Sequence, residues 1–103
     1  MTIQGIRTDV ARGNYEISYH AEKERYAEDI SIGDLERAIA DGSVIEDYPD
    51  DPRGPSCLVL GNSGDRAIHV VCGRTSAGLV RIITVYIPML PKWIDEKTRI
   101  RED

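Results

Sequence analysis

An imidazole changes charge near neutral pH, so His69 and His20 are the side chains best suited to carry a proton in a reaction. Tyr86, a phenol two strand residues from Thr84, is a third candidate acid or base. Arg53, Arg66, Arg74 and Arg81 fall within a short span and could hold a phosphate or another anion. Cys57 follows Arg53 closely, an arrangement that could activate a thiolate, although no neighbouring base is evident. Each reading has a plainer rival. His69 also suits a half-buried histidine bonded to Thr84, Tyr86 or backbone, and His20 with Glu24 suits a helical surface pair. The arginines could simply keep a sheet in solution. Cys57 and Cys72 sit in apolar runs, where free cysteine packs as a small hydrophobe. No pair of His or Cys has ligand spacing within one element, so neither a metal nor a cofactor is expected.

These residues must be positioned by helices first and strands afterwards. Ile3, Ile6 and Val10 give a weak helical stripe stopped by Gly13-Asn14. Tyr15–Ile17 is a short extended piece, and Ser18 can cap a surface helix from about Tyr19 to Asp29. Ser31-Ile32-Gly33-Asp34 forms a capping box ahead of Leu35, Ala38 and Ile39, and Asp41-Gly42 ends that helix. Strands are predicted at Val44–Tyr48, Ser56–Leu60, Arg66–Gly73 and Leu79–Ile87, separated by turn-rich segments. Pro88 and Pro91 close the sheet, Lys92-Trp93-Ile94 starts a short C-terminal helix, and the charged tail past Arg99 is expected to fray. The order predicts an α+β domain: two to three N-terminal helices on one face of an antiparallel four- to five-stranded sheet.

Strand alternation then predicts which side chains meet. Pairing Arg74 with Leu79 sets His69 opposite Thr84, with Tyr86 diagonal and Val71 and Ile82 on the same face. Ile68, Val70, Cys72, Arg81, Ile83 and Val85 take the other face. Pairing Gly61 with Arg66 puts Leu58 across from His69, and Cys57 near Val70 and Cys72. A slip of one residue reverses every assignment.

The 103 residues fit one domain with a core that needs no disulfide. Met1–Asp9 has no apolar run of the signal-peptide kind, and no stretch approaches a membrane span, so the expected address is the cytoplasm. The charge is unevenly spread. Residues 1–52 hold 5 Lys/Arg and 13 Asp/Glu, whereas residues 53–86 hold the four arginines against Asp65 alone. An acidic helical half thus faces a basic sheet half within a chain of net charge −5.

Several motifs, taken in order, resemble a bacterial family known only as a domain of unknown function. They are Tyr15-Glu16-Ile17-Ser18 with His20-Ala21, Ile45-Glu46-Asp47-Tyr48-Pro49, Cys57-Leu58-Val59-Leu60-Gly61, His69-Val70-Val71-Cys72, Ile82-Ile83-Thr84-Val85-Tyr86 with Pro88, and Trp93. The resemblance covers about residues 15–93. That family looks like a distant relative of the RelE, ParE and BrnT toxins, small α+β proteins with a helix-backed sheet. It implies a toxin that cleaves messenger RNA on the ribosome and is held by an antitoxin partner. His20, Tyr48, His69, Thr84, Tyr86 and Trp93 match recurrent positions of the family. Metal-independent cleavage by 2′-hydroxyl attack needs a base, an acid and cations. His69, Tyr86 and His20 are the expected catalytic groups. Arg53, Arg66, Arg74, Arg81, Tyr48 and Thr84 are the expected RNA contacts. Glu22-Lys23-Glu24-Arg25 is more acidic than the family's usual first helix. Two other functions compete: a non-catalytic module binding protein through exposed Tyr48, Trp93 and Arg53, and a cysteine enzyme pairing Cys57 or Cys72 with His69.

Overall fold

The computed structural model describes residues 1–90 and 92–100. Helix α1 (Ile3–Ala11) starts at Thr2, whose side chain accepts from the Gly5 N–H. After it come β1 (Tyr15–Ile17), α2 (Tyr19–Ala27) and α3 (Ile32–Ala40). Ser31 and Asp34 form the expected reciprocal capping box at α3. Four strands follow: β2 (Ser43–Tyr48), β3 (Ser56–Ser63), β4 (Arg66–Arg74) and β5 (Val80–Tyr86). The sheet order is β1-β5-β4-β3-β2. The domain is therefore α+β, with three helices and five strands among the described residues. All neighbouring strands run antiparallel except β1, which lies parallel to β5.

One face of the sheet packs against the helices. Its floor is Cys57, Val59, Ile68, Val70, Cys72, Val80, Ile82 and Val85, met by Ile6, Val10, Ala21, Leu35, Ala38 and Ile39. Full burial of each Leu or Ile here stabilises the fold by roughly 1.5–3 kcal/mol. α2 supplies little to this core. Ala21 and Arg25 are its buried residues, whereas Tyr19 and Tyr26 are exposed. Arg25 tolerates burial because Glu22 takes its Nε at 2.9 Å and the Ile30 carbonyl takes Nη1 at 3.0 Å. Among the described residues no helix is long and apolar enough to cross a membrane.

Three expectations need correction. Arg74 pairs with Val80, not Leu79, and Ile83 bulges out of β5, so His69 faces Tyr86 while Val71 faces Thr84. Ile82 consequently turns to the helices and Arg81 joins the His69 face. The bulge has a cause that pairing rules cannot see: Ser18 donates from its N–H to the Ile82 carbonyl and from its hydroxyl to the Ile83 carbonyl. Ser63, not Gly61, pairs with Arg66, which sets Leu60 opposite His69 and Cys57 directly opposite Cys72. Among the described residues Lys92-Trp93-Ile94 does not start a helix. Trp93 instead bridges to Arg99, with Ile94 N–H on the Thr98 carbonyl at 2.8 Å and Ile100 N–H on the Lys92 carbonyl at 2.7 Å. Asp95 closes this hairpin by accepting from the Lys97 and Thr98 N–H groups. Pro91, expected to help end the sheet, and the tail beyond Ile100 lie outside the described residues.

Candidate functional site

The sheet face turned away from the helices is read in rows across the strands. Tyr48, Ser56, Gly73 and Arg81 form the first, Glu46, Leu58, Val71 and Thr84 the second, and Leu60, His69 and Tyr86 the third. The first row, with Val71 and Thr84 of the second, floors an open groove of about 610 Å³. Its walls come from elsewhere: Ser18 and His20 from the start of α2, and Asp51, Arg53, Gly54 and Pro55 from the β2–β3 loop. Arg74 borders it at the end of β4, with its guanidinium turned to Asp9 and Gly5 of α1 on the helix side of the sheet.

The groove thus gathers most of the residues picked out by their chemistry: His20, Tyr48, Arg53, Arg74, Arg81 and Thr84. Its arginines are held in different ways. Arg53 is 86% exposed and loosely tied to Asp51 at 3.3 Å. Arg74 meets Asp9 of α1 at 2.7 Å and the Gly78 carbonyl at 2.9 Å. Arg81 meets Glu16 of β1 at 2.7 Å. His20 Nε2 lies 3.2 Å from Glu24, and the same carboxylate accepts from the Val85 N–H. Tyr48 donates to Glu46, and burial beside that carboxylate pushes its phenol up to about 12.

Arg66 is elsewhere. It donates to the Glu28 and Asp29 carbonyls and to Asp34 at 3.0 Å, fastening the α2–α3 junction to β4. Asp34 also accepts from the Ser63 hydroxyl and the Ser31 N–H, and these bonds hold its carboxyl far below the usual range. Arg66 is a structural clamp by position.

The third row is roofed by the C-terminal hairpin. His69 is 0% exposed and Trp93, expected to be exposed, is 1% exposed. The indole stands edge-on to the imidazole, centroids 4.4 Å apart. His69 Nε2 lies 2.7 Å from the Glu96 carbonyl, which can only accept, so Nε2 carries the proton. Nδ1 is then the acceptor for the Tyr86 hydroxyl at 3.2 Å. This is a neutral imidazole, and burial duly lowers its pKa. The Trp93 Nε1–H is buried without a hydrogen bond of good geometry among the described residues, yet faces Tyr86 closely enough to favour its ionised form. Burial has the larger effect on Tyr86 and raises its pKa. As the hairpin sits, neither His69 nor Tyr86 meets the groove.

Cys57 and Cys72 are buried free thiols, and desolvation raises the pKa of both. A thiolate nucleophile has no support there. Glu46 and Arg99 escaped sequence reasoning. Arg99 grips Glu46 through Nη2 at 2.8 Å and Nε at 3.1 Å, and lies over the Trp93 ring at 4.6 Å. Glu46 was findable, because it shares the Tyr48 face at strand spacing; Arg99 was not, because no rule folds a charged tail back onto a sheet.

A family model described as a domain of unknown function, DUF4258, matches residues 17–87. No curated protein and no solved structure matches the chain. The matched stretch runs from the last residue of β1 to just past β5 and contains every residue lining the groove, whereas the hairpin lies beyond it. This chain belongs to the DUF4258 family, and its open-face groove is built within the part that the family shares.

Proposed function

We propose that the groove binds single-stranded RNA and that the domain is a metal-independent endoribonuclease, acting as the toxin of a toxin–antitoxin pair. The observation that carries this reading is the convergence of Arg53 and Arg81, from a loop and a strand, on the groove that His20 and Tyr48 also line, with Arg74 at its border. The distant likeness of the family that this sequence resembles to the RelE, ParE and BrnT toxins points the same way. In this reading the arginines hold the scissile phosphate and its flanks. His20, oriented by Glu24, takes the 2′-hydroxyl proton as the oxygen attacks phosphorus. Tyr48, kept protonated by its environment, gives a proton to the departing 5′-oxygen. Thr84 on the groove floor hydrogen-bonds the strand.

Binding measured against salt tests it directly. Two phosphate contacts to a single strand, from Arg53 and Arg81, predict that log K falls with log[salt] at a slope of about −1.4, and that Arg81→Ala or Arg53→Ala flattens it by about 0.7. Purified protein in EDTA should cut the RNA, and His20→Ala should bind but cut at least ~100-fold more slowly. Protein that neither retains RNA at low salt nor slows growth on expression refutes the proposal.

A second reading, a protein-binding module, is favoured by a separate observation. Each groove arginine already has a carboxylate partner, and a neighbouring pocket of about 450 Å³ is rimmed by exposed Met89 and Leu90. Binding of a protein partner that Arg53→Ala and Tyr48→Ala weaken, without RNA cleavage, would establish it instead.

A further inference from the structure

The arginine groove ends where the hairpin begins, although the sheet beneath does not. Val71 and Thr84 of the open face's second row are groove floor; the third, one row or about 6.7 Å further along the strands, is Leu60, His69 and Tyr86 under Trp93. The roof is a two-stranded hairpin, an element that is marginal in water without support. Its residues 94–99 are all exposed. What ties it to the sheet is short: the Trp93 indole on the His69 ring, the Glu96 carbonyl on His69 Nε2, and the Arg99–Glu46 ion pair. The ion pair is partly exposed and so weak by itself.

We propose that the C-terminal hairpin, residues 92–100, is a self-inhibitory cap whose release exposes the buried Leu60 and His69, frees the half-buried Tyr86 and lengthens the groove by that row. The ligand of the lengthened groove rests on the RNA reading above; the opening of the cap does not.

Protonation of His69 drives the release. In the closed form the neutral ring accepts from Tyr86 at Nδ1 and donates to Glu96 at Nε2. A second proton, on Nδ1, turns the Tyr86 bond round so that the ring donates to the phenol oxygen, and it puts a positive charge in an enclosed site, a cost that opening removes. The groups facing the ring are Tyr86 from β5, Glu46 from β2, and Glu96 and Arg99 from the hairpin; its neighbour on β3, Leu60, is uncharged. Glu46 and Glu96 favour the imidazolium, Arg99 opposes it, and burial, the largest influence, also opposes it. Opening returns the ring to water and to its ordinary affinity for protons. The open form therefore binds protons more tightly, and the open-to-closed ratio climbs by up to tenfold per unit as pH falls below ~6.5. The climb stops at the lower pKa of the closed form.

Trp93 is the chain's single tryptophan and reports the cap directly. Its emission is followed from about pH 7.5 to 5.5, the range in which a histidine ordinarily titrates, in the full chain, in Arg99→Ala, and in Arg99→Ala combined with His69→Gln. Far-UV circular dichroism is recorded on the same samples. The expected result is a red shift on acidification at constant dichroism, displaced to higher pH by Arg99→Ala and abolished by adding His69→Gln. Emission that stays blue in every protein, or that shifts only as the dichroism collapses, overturns the cap. Short single-stranded RNA should then bind Arg99→Ala more tightly than the wild type at neutral pH. Equal binding with an opened cap overturns the inhibitory role. An opened cap with no RNA bound by either protein upholds the cap and overturns the RNA reading.

Discussion

Cys57 and Cys72 sit opposite one another on β3 and β4, facing the helices, in a layer that also holds Ile82. A thiolate there would have to form without water, the chain's N-terminal ammonium only partly offsetting this for Cys57, and burial raises both pKa values. The expected outcome with a neutral-pH alkylating reagent is no labelling of the native protein and labelling of both thiols once it is denatured. Rapid native labelling of Cys57 would revive the cysteine enzyme. At this scale the sequence was informative about type and poor about setting. His69 was legible as the odd polar residue in an apolar strand, and Tyr86 as its neighbour on the same face. Their burial was not legible, because it depends on Trp93 and Glu96 arriving from a segment whose residues look like a solvated tail. Arg66 misled for the opposite reason. Its charge suggested a ligand, yet the carbonyls left open at the end of α2 and the carboxylate of Asp34 claim it first.

Helix α3 rests on β3 so closely that the strand has no room for a side chain at its centre. A Cβ on Gly61 would stand 1.7 Å from the Ala38 carbonyl oxygen, an overlap that only movement of the helix could relieve. Gly61→Ala should therefore cost about 1–3 kcal/mol or more, as overpacking does in cores, read as a lower denaturant midpoint. Ser31→Ala, which removes only the cap of α3, should cost about 1 kcal/mol. If the two variants were equally stable, the close contact of α3 with β3 would be wrong. The capping box, the apolar stripe of α3 and the four main strands were all readable, since each is written in adjacent residues. The Ile83 bulge was not. It is imposed by Ser18, which lies far away in sequence and ties its backbone and hydroxyl to β5. That contact accounts for one of the two residues by which His69 moved from Thr84 to Tyr86; the other, and the turn of Arg81 from the core face to the groove, came with the Arg74–Val80 register at the β4–β5 loop.

The molecule as a whole titrates in one direction at each end of the pH scale. Asp34, Glu46, Asp51 and Asp95 are all held below their ordinary values, chiefly by hydrogen bonds, while His69 is held below its own by burial. A depressed carboxylate stabilises the fold above its unfolded pKa, and that contribution is lost as pH falls through the folded one. The depressed histidine behaves alike: its neutral form belongs to the folded state, so stability is whole above ~6.5 and declines below it. Tyr15 and Tyr48 have the opposite sense, pushed up to about 12 by burial and by Glu36 and Glu46 respectively. Their contribution is complete below pH ~10 and lost as pH rises toward 12. The melting temperature should consequently form a plateau from about pH 7 to 8 and fall on both sides, the alkaline fall starting with the two buried thiols above ~8.5 and deepening with the tyrosines. The acid fall should begin with His69, by at most about 1.4 kcal/mol per pH unit, before the carboxylates join it below pH ~4.5. His69→Gln should remove the first part of that fall and leave the carboxylate part unchanged. A melting temperature that is flat from pH 7 to 5 in the wild type would mean that His69 is not enclosed in solution, and the roof over the third row would have to be redrawn.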